Sequence, residues 1–571
     1  MPFWKNKNIM TKINYKDFVK YLFKNFRFQT IQIFILSILE TLLEIFSIII
    51  LIGALTILLT KGSSEGFISN FVGKFEYDFN NQLSLFYLII FIYIIKNVGL
   101  AFIQWLKLDL CGKIFKKISQ STYQALLKKN NLFFNNFSSG DLAQNVIAES
   151  EFTKSVIISF VSIITELLII MMMFMIIGLQ NLYTASITIS FLSISSYGYY
   201  FFMKKKNISL GEKRHFFSIR IMNLLFHSLG QHKLIVLADK IKFFLKRFSD
   251  KIKIIYQVSR DQMTIQYSSR LWLECCVLLI LVFTITPLIK SENISPTKIS
   301  DILLISIISL RFVPSFTNIL GSYSTIQYGV KAVSNIMNIL RDQKDESIIQ
   351  PTNIQFNELT LKSIHFKYEN NKEFVIDNFN KIFKNKSLVG IKGDNGSGKS
   401  TLLKIIAGLI KPDTGQVIIN QKSIYDDETL FYNWKKNVGY ADQKLIFSNE
   451  NVLKTVAFGE EDQNIIQDRV IDCLEKVGLL DFFMSKTDKL NMLIGENGLK
   501  LSGGQLQKLN IARALYLKPK ILILDEVTNN LDIKSQEELL KLLNLLKNES
   551  LIIMATHSDN VLKKCDLIIN L

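Results

Sequence analysis

"SLVGIKGDNGSGKSTLLKIIAG", residues 387–408, reads as a short apolar strand, a glycine-rich turn and the opening of a helix. Gly393, Gly398, Lys399 and Ser400 stand at the spacing GxxxxGK[ST] of a phosphate-binding loop. Glycines let backbone N–H groups curl around phosphate oxygens, and the helix N-terminus adds its dipole. Lys399 brings a point charge to the β/γ oxygens, and the Ser400 hydroxyl is placed for Mg²⁺.

Downstream, "KILILDE" (520–526) is an apolar run that ends in two carboxylates. A buried strand of this kind delivers Asp525 to Mg²⁺ and Glu526 to an attacking water, as nucleotide hydrolysis requires. "LSGGQ" (501–505) offers Ser502 and the N–H groups of a glycine pair to a phosphate. "NNLD" (529–532) follows, and "LIIMATH" (551–557) is another apolar strand that delivers one histidine, His557.

These motifs, in this order, resemble the nucleotide-binding domain of ABC transporters over about 357–571, and LSGGQ makes the resemblance specific. It implies an α/β P-loop NTPase domain with ATP and Mg²⁺ as cofactors. It also implies Glu526 as catalytic base, His557 as switch histidine and Gln443 of "YADQ" as the glutamine that senses Mg²⁺ and the γ-phosphate. Tyr368 is implied as the aromatic on adenine. Gly393, Asp394, Asn395, Gly396, Ser397, Gly398, Lys399, Ser400 and Thr401 are implied to cradle the phosphates, and Ser400, Gln443 and Asp525 to hold Mg²⁺. Ser502, Gly503, Gly504, Gln505 and Asp532 are implied to close over the phosphate loop of a second copy, so a homodimer is expected. "GENG" (495–498) resembles the segment that precedes the signature in exporters. Two departures stand out: Leu506 follows the signature where a basic residue is usual, and Asn529–Asn530 replace Ser-Ala.

The first 340 residues are of another kind. Of the 571 residues 49% are hydrophobic and 43 are Phe, a composition normal for a chain with several membrane helices. Six apolar stretches, at about 30–59, 83–105, 156–177, 183–203, 271–289 and 299–320, are each long enough to span a bilayer. Lys and Arg crowd 1–28, 106–155 and 204–270, whereas 178–182 is uncharged and 61–82 and 290–298 are balanced or acidic. The positive-inside rule therefore puts both termini in the cytoplasm. The cytoplasmic segments keep a helical period, so the spans are expected to extend well beyond the membrane. The expected architecture is an all-α six-helix transmembrane domain over 1–340, a polar linker over 341–356 and the nucleotide-binding domain over 357–571. Membrane part and ATPase on one chain resemble the exporter arrangement and imply a half-transporter. Residues 132–146 and 224–236 resemble its two coupling helices, with Gly140 and Asp141 at the first turn.

The net charge of +18 comes with no DNA- or RNA-binding signature, so nucleic acid is not an expected partner. Five cysteines without CxxC spacing read as reduced thiols, and His215, His227, His232 and His365 are isolated, as packing or surface histidines are. Cations inside spans carry more information. Lys96, Arg270 and Arg311 would be expensive in hydrocarbon unless they face a cavity or a carboxylate. Arg270 with Glu274, and Arg311 with Glu40 or Glu166, are the structural pairings; a basic ring for an anionic head group is the functional reading. Pro314 is tolerable where Ser315 or a neighbour satisfies the freed carbonyl.

"RFVPSFTNILGSYSTIQYG" (311–329), "SRLWLECCVL" (269–278) and "SILETLLEIFSI" (37–48) resemble the sixth, fifth and first spans of the lipid-linked-oligosaccharide flippases of bacterial protein glycosylation, the PglK-like group. That resemblance implies an ATP-driven flippase in the bacterial inner membrane, with a polyprenyl-pyrophosphate glycan as substrate. Export of peptides or hydrophobic drugs is the alternative. Phe67, Ile68, Phe71, Val72 and Phe75 share one helical face, fit to lie on the outer bilayer surface and hold a polyprenyl tail.

Overall fold

The computed structural model describes residues 15–60, 82–289, 296–341, 356–368, 371, 373–528 and 531–571. The stretch 67–75 and nearly all of the expected linker lie outside the described residues, as do the side chains of 296–311. The chain divides into two compact units, Met1–Lys129 with Phe134–Lys344 and Asn130–Phe133 with Asp345–Leu571.

Among its described residues the first unit is helical. Its helices are α1 (Tyr15–Asn25), α2 (Arg27–Thr60), α3 (Gln82–Leu127), the second half of α4 (Asn131–Asn136), α5 (Ser139–Gln144), α6 (Ser150–Gly230), α7 (His232–Leu237), α8 (Ile241–Ile289) and α9 (Pro296–Arg341). Among the described residues Arg27–Ser47, Ile90–Leu127 and Ser139–Met175 are long and apolar enough to cross a membrane. Hydroxyls inside the apolar helices bond to their own backbone, as in Ser37 Oγ to Ile33 O (3.0 Å) and Thr41 Oγ1 to Ser37 O (2.7 Å). Such bonds satisfy polar groups where no water can.

Helix α6 holds two expected spans in one 81-residue helical run. Arg214 Nη2 nevertheless donates to Glu149 Oε2 at 3.0 Å across 65 residues, which a straight helix would separate by about 98 Å. Leu167 and Ile170 likewise share a cavity wall with Ser193 and Tyr197. The run therefore doubles back, and the residues midway between these partners fall in the uncharged stretch 178–182. Glycines bring α6 close to α9. A Cβ on Gly211 would sit 2.2 Å from the carbonyl oxygen of Tyr328, and one on Gly329 would sit 2.3 Å from Val156 Cγ2. Small residues at helix contacts in membranes let backbones pack closely. Gly211→Ala must push backbone apart, and is expected to destabilise by about 1–3 kcal/mol. Thermal unfolding of the detergent-solubilised protein checks this; an unshifted midpoint contradicts it.

Helix α9 contains Pro314 without a break. The hydroxyl expected to compensate does not: Ser315 Oγ is buried without a partner among the described residues. Thr317 Oγ1 donates to Pro314 O at 2.8 Å.

The second unit is α/β. An antiparallel sheet of order β2-β1-β4-β5 comprises β1 (Glu358–Phe366), β2 (Ile376–Lys384), β4 (Thr414–Ile419) and β5 (Lys422–Ser423). A second sheet of order β6-β7-β8-β3-β9 comprises β3 (Leu388–Lys392), β6 (Val438–Ala441), β7 (Ile521–Asp525), β8 (Leu551–Ala555) and β9 (Leu567–Asn570). Every pairing in it is parallel. Alternate residues feed two cores: Leu388, Leu522, Leu524 and Ile552 face one, and Val389, Ile391, Ile523 and Ile553 face the other. Burial on both faces explains why these strands read as unbroken apolar runs.

Candidate functional site

In a parallel sheet, ligands bind beyond the carboxyl ends of the strands. Four of the five strands deliver chemistry there. β3 ends at Lys392 and runs into the loop 393–398, which feeds α10 (Lys399–Ile406). Gly396 (φ +88°) and Gly398 (φ +101°) take backbone conformations that side chains resist. A Cβ on Gly393 would come within 2.5 Å of Ser397 Oγ. Lys399 is buried, and its Nζ donates to the carbonyls of Gly393 (2.8 Å) and Asp394 (2.9 Å) of its own loop. Ser397 Oγ is buried without a partner among the described residues, an orphaned polar group that a phosphate oxygen would satisfy. Tyr368, just after β1, meets the first turn of α10 through a 3.0 Å bond between its hydroxyl and Thr401 Oγ1, and its ring stands edge-on to Phe366.

β7 ends in Asp525, and Ser400 Oγ donates to its Oδ1 at 3.0 Å. Burial pushes the Asp525 carboxyl above the ordinary carboxylate range, with the Ser400 and Tyr440 hydrogen bonds offsetting only part of that. Ser400, Asp525 and the amide oxygen of Gln443 form an all-oxygen donor set, which suits a hard ion such as Mg²⁺ better than a soft transition metal. Such an ion would favour the charged carboxylate.

Glu526 directly follows β7. Gln443 Nε2 donates to its Oε2 at 2.6 Å, His557 Nε2 lies 3.4 Å from its Oε1, and Lys399 Nζ lies 4.0 Å from its Oε1. The structure thus brings Lys399, Ser400, Gln443, Asp525, Glu526 and His557 together. Glu526 has φ +51°, a left-handed conformation that costs a non-glycine residue about 1–3 kcal/mol.

The signature stands apart from this group. Ser502 caps α11 (Gly503–Tyr516) in a reciprocal box: its Oγ accepts from Gln505 N at 3.3 Å, and Gln505 Oε1 accepts from Ser502 N at 2.9 Å. Among the described residues no hydrogen bond or ion pair joins 502–505 to 393–401. Asp532 caps α12 (Ile533–Leu546), its Oδ1 accepting from Ser535 N, and hydrogen bonds from the Ser535 side chain first, then from backbone N–H, hold its carboxyl below the ordinary range. Asn529 and Asn530 lie outside the described residues. The departure at Leu506 has a packing reason: its side chain lies where a Cβ on Gly498 would be, 2.1 Å from Leu506 Cδ2.

Sequence reasoning missed Tyr440. It sits on β6, beside β7, and its hydroxyl donates to Asp525 Oδ2 at 3.1 Å, so both carboxylate oxygens are held. Its only sequence signal was a tyrosine three residues before Gln443. Tyr440→Phe is expected to raise the Mg²⁺ concentration for half-maximal ATP hydrolysis about tenfold. Activity titrated against Mg²⁺ checks this, and an unchanged midpoint removes the assigned role. A brace behind Gln443 was also missed. Asn510 Nδ2 donates to Asp442 O (3.0 Å), and Arg513 Nη1 to Ile446 O (3.3 Å), so the signature helix grips the loop that carries the glutamine.

In the helical unit, Lys96 Nζ lies 3.4 Å from Glu44 Oε2, and Arg270 Nε donates to Glu274 Oε1 at 2.7 Å. Glu40 pairs with Lys107, and Glu166 accepts from Asn318 Nδ2 at 2.6 Å. Arg311 lies within α9, with its side chain outside the described residues.

Comparison with known proteins fits this geometry. Residues 376–529 match the family described as ABC transporter. The alpha-hemolysin translocation ATP-binding protein HlyB of Escherichia coli is 32% identical over 213 residues, 37% of this chain and 29% of that protein. The leukotoxin translocation ATP-binding protein LktB of Mannheimia glucosida is 30% identical over 248 residues, 43% of this chain and 34% of that protein. The match thus spans about a third of the length of these curated relatives. A solved bacterial Atm1-family ABC exporter with ATP bound superposes with a TM-score of 0.79 at 15% identity, covering 96% of this chain and 94% of that one.

Proposed function

We propose that this chain, which has the fold of an ABC exporter and carries an ABC transporter ATPase domain, is one half of an ATP-driven membrane exporter that works as a homodimer. The observation that carries the reading is the convergence of Lys399, Ser400, Gln443, Asp525, Glu526 and His557 at one end of the parallel sheet. Lys399 leaves its two loop carbonyls for the phosphates when ATP enters. Tyr368 supplies a ring face to the adenine. Ser400, Asp525 and Gln443 hold Mg²⁺, which when bound neutralises phosphate charge. Glu526 accepts a proton from the attacking water, and His557 orients the γ-phosphate. Among the described residues no hydrogen bond or ion pair ties Ser502–Gln505 or Asp532 to their own phosphate loop, which suits a role toward the loop of a second copy.

The cargo we propose is a polyprenyl-pyrophosphate glycan, flipped across the bacterial inner membrane from cytoplasmically oriented domains. Support comes from the resemblance of the first, fifth and sixth spans and from the nature of the Arg270–Glu274 pair. Both its partners are accessible from outside the chain's own helices, so a phosphate group can reach the arginine. Arg311 and Lys96 would complete the basic lining. The names of HlyB and LktB favour a second reading, the export of a polypeptide.

Reconstitution into proteoliposomes separates the two. A fluorescent polyprenyl-pyrophosphate oligosaccharide is expected to become accessible on the far face only with ATP. ATP-dependent movement of peptides with no movement of the glycolipid would overturn the flippase reading.

A further inference from the structure

A cavity of about 350 Å³ lies within the helical unit, between the two arms of α6 and helix α9. Leu167, Ile170, Phe316 and Leu320 give it apolar walls, and Tyr200 and Tyr323 also line it. The volume is at the small end for ligand pockets, too tight for an oligosaccharide and suited to one hydrocarbon chain. Its wall contains one unmet polar group: Ser196 Oγ, buried and without a partner among the described residues.

Polarity rises along the second arm of α6. Ser193 and Ser196 line the apolar part, and Tyr200 lies one turn further on. Tyr323 Oη donates to Tyr200 Oη at 2.9 Å, and Gln327 Nε2 donates to Tyr323 Oη at 2.6 Å. One more turn brings Lys204, whose Nζ is 5.6 Å from the centre of the Tyr200 ring, followed by Lys205 and Lys206. From Ser193 to Lys204 the helix advances about 16 Å. Along that length it presents hydrocarbon, then hydroxyls, then ammonium groups at the end of the apolar stretch. This is the order of groups along a phospholipid: acyl chain, ester, phosphate.

We propose that this cavity is a binding site for one anionic phospholipid of the surrounding bilayer. One acyl chain fills the cavity, its ester meets the Ser196 and tyrosine hydroxyls, and the phosphate lies against Lys204, the lysine beside the Tyr200 ring. Long lysine side chains reach from an apolar surface to such head groups, and anionic lipids of the cytoplasmic leaflet attract basic segments beside a span. The site belongs to one chain's own helices and does not depend on which cargo is moved.

Native mass spectrometry of the full-length protein, stripped of lipid in detergent, tests the site by titration with phosphatidylglycerol and with phosphatidylethanolamine of the same acyl chains. The wild type is expected to retain one phosphatidylglycerol per chain, about tenfold more tightly than phosphatidylethanolamine. Leu320→Trp fills the cavity and should abolish retention of both. Lys204→Gln leaves the cavity intact and should bring phosphatidylglycerol down to the level of phosphatidylethanolamine. If Leu320→Trp fails to fold, the lysine variant decides alone. Equal retention of the two lipids by the wild type overturns the proposal, as does undiminished preference in the lysine variant. A polyprenyl phosphate that binds more tightly than phosphatidylglycerol overturns it as well, because the cavity would then belong to the cargo.

Discussion

Glu526→Gln is expected to slow ATP hydrolysis by about 10²–10⁴-fold, the range lost when a positioned base is removed. Gln cannot take a proton from water, yet it keeps the size of the side chain and its contact with Gln443. The phosphate loop, the Tyr368 ring and the Asp525 site are untouched, so nucleotide should remain bound unhydrolysed. Turnover of radiolabelled ATP together with filter retention of nucleotide measures both. Sustained hydrolysis in this variant would reassign the base, with His557 the next group to examine, because its Nε2 is 3.4 Å from the same carboxylate.

The second large effect lies outside the ATP site. Glu149 ends a π-helical turn, Asn145–Glu149, and is fully buried at the start of α6. Arg214 Nη2 donates to its Oε2 at 3.0 Å, and His215 Nδ1 lies 3.0 Å from its Oε1. The Arg214 guanidinium is itself buried against the Phe152 ring, 3.3 Å from its centre, with Nε and Nη1 lacking partners among the described residues. Removing one member of a buried pair leaves the other charged and unpaired, which costs about 3–5 kcal/mol. Glu149→Ala should therefore lower the thermal unfolding midpoint far more than Glu151→Ala, whose side chain is exposed. Comparable shifts in the two variants would contradict this.

The parts that could be read from sequence are those that local pattern encodes. The loop 393–398, the strand ending at Asp525 and the strand leading to His557 each carry their signal within a few residues. The turn inside α6 was legible as well, because an uncharged 178–182 between two apolar stretches has one economical explanation. Contacts between residues far apart in the chain left no such trace. Glu149 finds Arg214 only because α6 folds back, and Tyr440 reaches Asp525 only because β6 lies beside β7. Neither helical nor strand periodicity reports a partner's identity. Glu40 and Glu166 make the same point: one or the other was the expected partner of Arg311, whereas the structure pairs Glu40 with Lys107 and sets Asn318 against Glu166.

The left-handed backbone at Glu526 has an evolutionary consequence. The fold holds a β-carbon there at an energetic loss, so Gly, free of that strain, would make the domain more stable while ending its chemistry. Selection for turnover and selection for stability therefore pull this position in opposite directions. In a lineage that no longer needs ATP hydrolysis, drift should reach this position early, toward Gly or Asn, while the glycines of the phosphate loop persist as long as nucleotide still binds.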